Sequence, residues 1–284
     1  MSAPAIVEPP VLGAGAELAP GYRVVELVSR GVALDVYEVF SEERLCHCIA
    51  KSVRPDRPEQ RVRDRLLLEG RLLERLAHPH LARALDTVTD SSGAPVVVLE
   101  MILGPTLEEL IDSRTRRFAA ADLAHLGQHL ASALHHVHGA GFLHLDVRPA
   151  NVVARAGIAT LIDLSIARPP GPVRRGLGSR EYLSPEQARG TVASAATDVW
   201  GLGATLYEAA TGTAPFAPHD DEERTTWEAG QPLQLAVAPR DPRTLRPRLR
   251  RDLAALVREM LDPVPRRRPV LVEVHQRLGR LVEE

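Results

Sequence analysis

The chain has 284 residues, an apolar content of 44% and a formal net charge of −2. That is enough chain for one large domain or two lobes, and the near-zero charge gives no whole-protein attraction to nucleic acid or an anionic membrane. No apolar run approaches the ~18 residues of a membrane span, and no basic-then-apolar signal segment opens the chain, so a soluble cytoplasmic protein is expected.

Residues 1–21 are rich in Pro, Ala and Gly without periodicity and predict a flexible lead. Strand-like runs follow at Arg23–Val28, Asp35–Phe40 and Cys46–Val53, separated by the turn residues Ser29-Arg30-Gly31 and Ser41-Glu42-Glu43-Arg44. This predicts an antiparallel meander. Cys46 and Cys48 lie two apart on one strand face, too close to staple a fold. Without a second cluster, Cys46-His47-Cys48 lacks the ligands of a closed metal site, so the structural reading is favoured. Val62, Leu66, Leu68, Leu72, Leu73 and Leu76 recur at helical spacing, and His78-Pro79 ends that helix. Two more strands are predicted near Leu81–Val88 and Pro95–Ile102, joined by the turn Asp90–Gly93, and Gly104-Pro105 reads as a hinge.

Beyond the hinge the chain reads as mostly helical. Leu123, Leu126, Leu130, Leu134 and Val137 share one face of a helix over Ala120–His138. Further helices are predicted at Thr197–Thr211, Arg251–Leu261 and Val270–Leu281. The histidines 135, 136 and 138 read as a cationic helix end rather than a metal site, since no Cys or carboxylate stands at ligand spacing. The fold class is therefore α+β: a small β-rich lobe with one helix (residues 22–103), then a larger helical lobe (104–284).

Three residues carry the chemistry. Asp146-x-x-x-x-Asn151 forms a tight loop restrained by Pro149, able to aim a carboxylate at a hydroxyl and an amide oxygen at a metal. Asp163 follows the apolar run Ala159–Ile162, at a strand end, where a second carboxylate can hold Mg²⁺ against nucleotide phosphates. Phosphoryl transfer needs little else. Lys51 is the one lysine and Asn151 the one asparagine; the rest of the 35 Lys and Arg residues are arginine. Lys-to-Arg exchange is nearly neutral on a solvated surface but not where a compact ammonium must meet a phosphate oxygen.

In this order, the motifs resemble the eukaryotic-like Ser/Thr protein kinases of bacteria, over about Tyr22 to Leu281. The resemblance implies a bilobal kinase fold, ATP and Mg²⁺, and protein substrates with a Ser or Thr acceptor, with no nucleic acid partner. It pairs Lys51 with Glu69 on the nucleotide phosphates and makes Asp146 the base or hydroxyl-orienting group. Arg148 would meet the γ-phosphate, and Asn151 and Asp163 the metal. Gly31, Val36, Ile49, Lys51, Leu99, Glu100, Ile102 and Val153 would contact the nucleotide, with Leu99 as gatekeeper. Ser179 would help seat the substrate within the peptide-positioning element Gly178–Gln187. Glu186 would pair with Arg268, and Asp198 would support the catalytic loop.

Departures from the family pattern fall in four motifs. The glycine-rich loop keeps only Gly31, with Ser29 and Leu34 where glycines are expected, and glycine is what lets backbone N–H groups approach phosphate. Ile49 replaces a small residue, Leu145 the Arg of His-Arg-Asp, and Ser165 the Gly of Asp-Phe-Gly. Leu145 cannot hold a phosphate, so activity is expected not to depend on phosphorylation within Asp163–Glu186. Two readings stay open beside an active kinase: a pseudokinase serving as a nucleotide- or protein-binding scaffold, and a small-molecule phosphotransferase.

Overall fold

A computed structural model describes residues 9–113 and 117–283. Its first sheet grows from the pleat. In β3 (Leu34–Ser41) buried and half-buried side chains alternate along the whole strand, as a strand with one packed face requires. Six antiparallel strands follow the order β1-β2-β3-β4-β6-β5, comprising β1 (Glu17–Ala19), β2 (Tyr22–Arg30), β3, β4 (Cys46–Val53), β5 (Ala84–Thr89) and β6 (Pro95–Glu100). Tyr37, Val39, Cys48, Ala50, Val96 and Val98 pack on one face with Leu18, Ala19, Tyr22 and Val24. By register, Val36 and Val97 lie opposite Lys51, and Leu99 lies opposite Ile49. These side chains therefore share the other face.

The helix α1 (Gln60–Arg75) turns Val62, Leu66, Glu69, Gly70, Leu72 and Leu73 inward. A Cβ on Gly70 would come within 2.9 Å of Thr87 Oγ1 and 3.0 Å of Val97, so the helix lies tight on the strands.

The expected flexible lead over residues 1–21 needs correction in its second half. Residues 1–8 lie outside the described residues, but Glu17–Ala19 pair with β2, with Leu18 and Ala19 buried. The cause is apolar burial that composition alone does not reveal. The expected strand from Leu81 also begins later, at Ala84. Leu81 N–H instead donates to His78 O at 3.1 Å, and Leu161 N–H, at the end of β8 (Ile158–Leu161), donates to His80 O at 2.9 Å.

The chain divides into two compact units, one formed by the chain up to Ala77 with Ala82–Ile102, the other by His78–Leu81 with the chain from Leu103 on. Histidines fasten His78–Leu81 within the second unit. His78 Nε2 lies 3.1 Å from Ser132 Oγ, and His80 Nδ1 lies 3.0 Å from Ala159 O. The rings stack, His80 on His129 at 3.9 Å and His78 on His136 at 5.3 Å.

The second unit contains α2 (Leu107–Ser113), α3 (Ala120–Gly139), α4 (Pro185–Arg189), α5 (Ala195–Thr211), α6 (Asp221–Glu228), α7 (Pro242–Leu245), α8 (Arg251–Met260) and α9 (Leu271–Glu283). Two small antiparallel ladders join them, β7 (Val152–Arg155) with β8, and β9 (Gly171–Pro172) with β10 (Val192–Ala193). Helix α5 is buried along almost its whole length, as the apolar run from Val199 to Tyr207 demands. Among the described residues, no helix is long and apolar enough to cross a membrane.

Candidate functional site

Glu69 lies on the buried face of α1 and is fully shielded from solvent. A carboxylate so placed needs a paired cation, and Lys51 Nζ supplies it at 2.6 Å. Both groups belong to the first unit. Ile49 stands two residues before Lys51 on the same face of β4, Val36 faces Lys51 from β3, and Leu99, 5% exposed, faces Ile49 from β6. Glu100 is engaged by Arg83, whose backbone N–H donates to Oε1 at 2.9 Å. Ile102 lies two residues past β6, half-buried. Gly31 sits at the exposed tip between β2 and β3.

The second unit brings Asp146, Arg148, Asn151 and Ser179 together. Asp146 Oδ1 accepts from Ser179 N–H at 2.9 Å, and Oδ2 accepts from Asn151 Nδ2 at 3.1 Å. Asn151 Nδ2 also donates to Asp146 O at 2.8 Å. Arg148 Nε lies 3.8 Å from Asp146 Oδ2. Pro149–Asn151 forms a single 3₁₀ turn, with Asn151 N–H donating to Arg148 O. Asp163 follows β8 closely: Ile162 N–H donates to Asn151 O at 2.9 Å, and Asp163 Oδ1 accepts from Ser165 N–H at 3.0 Å. Val153 lies on β7, 7% exposed.

Two residues here adopt left-handed backbone without being glycine, Leu145 at φ 68° and Asp163 at φ 70°. Such conformations cost on the order of 1–3 kcal/mol and persist when their surroundings impose them. For Leu145 the constraint is visible. Asp198, buried in the first turn of α5, accepts from Leu145 N–H at 2.7 Å and from His144 N–H at 2.8 Å. His138 Nε2 lies 2.7 Å from Asp198 Oδ2. His138 and His136 stand in the last turn of α3, where a helix end rich in histidine is expected, and there His138 contacts the buried carboxylate while His136 stacks on His78. Gly201 lets α5 press against this loop, since a Cβ there would lie 3.0 Å from Val147 O.

The segment after Asp163 is anchored without a phosphate ligand at position 145. Leu145, 4% exposed, packs with Leu143, Val173, Leu177, Ala193 and Ile166. Gln187 Nε2 donates to both Leu145 O and Leu177 O at 2.8 Å. Neither Gln187 nor His138 stood out in the sequence as a support for the loop. The Ser184-x-x-Gln187 spacing of a capping box was the available signal, and both reciprocal bonds form.

Glu186 and Arg268 meet through two bonds, at 2.7 and 2.9 Å, and Thr197 Oγ1 donates to the same carboxylate. Burial alone would raise the Glu186 carboxyl, but the Arg268 bonds and charge outweigh it and hold it below the ordinary range. Arg268 also lies 4.9 Å above the Trp200 ring. Nearby, Tyr182 OH donates to Glu208 at 2.6 Å. Burial, then the charges of Glu181, Glu108 and Asp112, push Glu208 up to about 7 although the Tyr182 bond opposes them.

A family model of the protein kinase domain matches residues 22–278. The chain is 30% identical over 270 residues to the DNA damage-responsive serine/threonine-protein kinase RqkA of Deinococcus radiodurans, covering 90% of this chain and 38% of that protein. It is 30% identical over 219 residues to the serine/threonine-protein kinase PknA of Mycobacterium tuberculosis, covering 72% of this chain and 49% of PknA. It thus spans less than half the length of either relative. The crystal structure of the M. tuberculosis PknI kinase domain superposes with a TM-score of 0.71 at 23% identity, covering 95% of this chain and all of that one, so the two share the bilobal kinase fold. On the breadth of the family match, the chain belongs to the protein kinase domain family.

Proposed function

We propose that this chain transfers the γ-phosphoryl group of ATP to Ser or Thr hydroxyls of protein substrates, with residues 22–103 as the nucleotide-side lobe and 104–284 as the substrate-side lobe. The observation that carries the reading is the fixed carboxylate of Asp146, held by Ser179 N–H and Asn151 Nδ2. Asp146 would accept the proton of the attacking hydroxyl or orient it. Lys51, steadied by Glu69, would bind the α- and β-phosphates, and Arg148 the γ-phosphate. Gly31, Val36, Ile49, Leu99, Glu100, Ile102 and Val153 would contact the remainder of the nucleotide.

Asn151 and Asp163 fit a hard divalent cation such as Mg²⁺. Asn151 spends its Nδ2 on Asp146, which orients the amide oxygen as its metal-facing end, and Asp163 supplies a carboxylate. When bound, the metal would neutralise charge on the transferring phosphates. The apolar packing of Leu145 supports activity without phosphorylation in Asp163–Glu186.

The exposed, glycine-poor tip at Gly31 and Val32 favours a second reading, a scaffold with a kinase fold that turns nothing over. Incubation with labelled ATP, Mg²⁺ and a generic basic protein, beside Lys51→Met and Asp146→Asn, separates the two. Transfer abolished by either substitution supports the enzyme. No transfer and no nucleotide-induced thermal shift leaves the scaffold. Transfer that survives Asp146→Asn refutes the assigned mechanism.

A further inference from the structure

The tip between β2 and β3 has lost most of its expected glycines, yet it is tightly fastened by other means. Gly31 N–H donates to Leu34 O at 2.8 Å, closing the turn, and a Cβ on Gly31 would stand 3.2 Å from that oxygen. Immediately below, Arg30 and Asp35 face each other across the hairpin. Their side chains add two bonds, at 2.8 and 2.9 Å, and Arg30 Nη1 donates to Pro9 O at 2.8 Å. From the far side comes Arg54, the residue after β4. Its backbone N–H donates to Ala33 O at 3.0 Å and its Nη1 donates to Gly31 O at 3.0 Å. Its other two guanidinium positions form a fork on Asp56, at 2.9 and 2.8 Å. The Arg54 side chain is only 6% exposed.

We propose that Arg54 is a positioning residue for the nucleotide lid, holding the β2–β3 tip in the shape that bound phosphate would impose on a freer, glycine-rich tip. The inference rests on the nucleotide-binding reading above. A glycine-rich tip samples many conformations and settles on its ligand. With Ser29 and Leu34 in place of glycines, this tip has less freedom to mould itself, so its backbone must be placed before the nucleotide arrives. Ordering it in advance reduces the entropy lost on binding. Arginine suits the task because its planar fork engages Asp56 with two donors while a third reaches a carbonyl, a geometry that a lysine ammonium reproduces only in part. The strand that carries Lys51 continues directly into this clamp: Lys51 faces Val36, Val53 faces Leu34, and Arg54 follows. One strand thereby sets both the phosphate-binding ammonium and the tip above it.

The test compares wild type with Arg54→Met, Arg54→Lys and Asp56→Asn by amide hydrogen exchange over residues 29–34 and by steady-state kinetics with ATP and Mg²⁺. In Arg54→Met, exchange over 29–34 should accelerate by about ten-fold while the rest of β2–β4 stays protected. The KM for ATP should rise about five-fold with kcat within about two-fold, the signature of lost binding order rather than lost chemistry. Arg54→Lys should recover part of both effects. If Arg54→Met folds poorly, Asp56→Asn makes the same comparison at smaller amplitude. Unchanged exchange overturns the clamp. Faster exchange with an unchanged or lower KM overturns its role in nucleotide binding, as does kcat falling in step with kcat/KM. Should wild type bind no nucleotide, the kinase reading fails, and the exchange rates alone decide whether Arg54 fastens the tip.

Discussion

The loop around Asp146 and the tip around Gly31 are both fastened by polar bonds, but the two are built differently. The Asp146 loop rests on buried groups. Asp198 is 1% exposed, His144 is fully buried and Asn151 is 6% exposed, and each bonds to the backbone or to a side chain of the loop, His144 Nδ1 by accepting from Asp146 N–H. The tip projects outward, with Val32 82% exposed, and its ties are Arg54, Arg30 and their aspartates. Buried, mutually dependent bonds tolerate little substitution, because removing one partner strands another away from water. An exposed hairpin tolerates change at any one residue, provided something else sets its backbone.

The largest test of the comparison is Asp146→Asn. It keeps the side-chain size while removing the charge and one of the two acceptors, and should lower kcat by at least about 10²-fold, as loss of a positioned base does, with nucleotide-induced thermal shift retained. A variant with near wild-type turnover would remove the distinction between a chemical loop and a merely structural one.

Next in size is the buried pair behind the loop. Arg268→Ala leaves Glu186 without its cation and should cost about 3–5 kcal/mol in denaturant unfolding. A loss as small as that of a surface pair would mean that the platform is not rigidly held. Leu145→Ala comes third. It empties part of the apolar cluster that stands where a phosphate ligand is expected, and should destabilise by about 2–4 kcal/mol. Substituting Ser165, Ser179, Tyr182 or Ser184 does not test the same point, because Ser179 and Tyr182 carry other roles; mass spectrometry of active protein without phosphate in Asp163–Glu186 does.

The smallest effect is a pH dependence. Burial, then His80, His125 and His275, push His129 down to about 4, and burial, then His136 and His80, lower His78. These groups are neutral in the fold: His129 Nδ1 accepts from Ala159 N–H, and His78 Nδ1 accepts from His80 N–H. Between the ordinary 6.5 and about 4 the unfolded chain takes up a proton that folded His129 refuses. Stability from this source is therefore full above 6.5 and falls with acidification through that window. The melting temperature of His129→Gln should fall less than that of wild type over the same range, and parallel curves would count against the stacked histidines as its source.

Much of this architecture was legible in local pattern. Helical spacing from Val62 to Leu76 and the stop at His78-Pro79 describe α1 to within a residue of its observed end, because an amphipathic face and a proline act locally. Asp146, Asn151 and Asp163 were legible by spacing and order. The strand β1 was not, since Leu18 and Ala19 become strand only by packing on a sheet formed later in the chain. Nor were the supports of the site: His138 lies 60 residues from Asp198, and Gln187 lies 42 from Leu145.

The sequence by itself therefore determined the element order, the family to which the motifs belong and the residue types available for chemistry, since periodicity and motif spacing depend on neighbours along the chain. The motifs already imply that Lys51 meets Glu69 and that Asp198 supports the loop, but only the tertiary structure decided that Glu69 is fully buried, that the backbone held by Asp198 at Leu145 is left-handed, and that Arg54 grips the tip at Gly31. Those are pairings between distant segments, and what selects them is the cost of leaving a charge or a backbone polar group buried and unpaired.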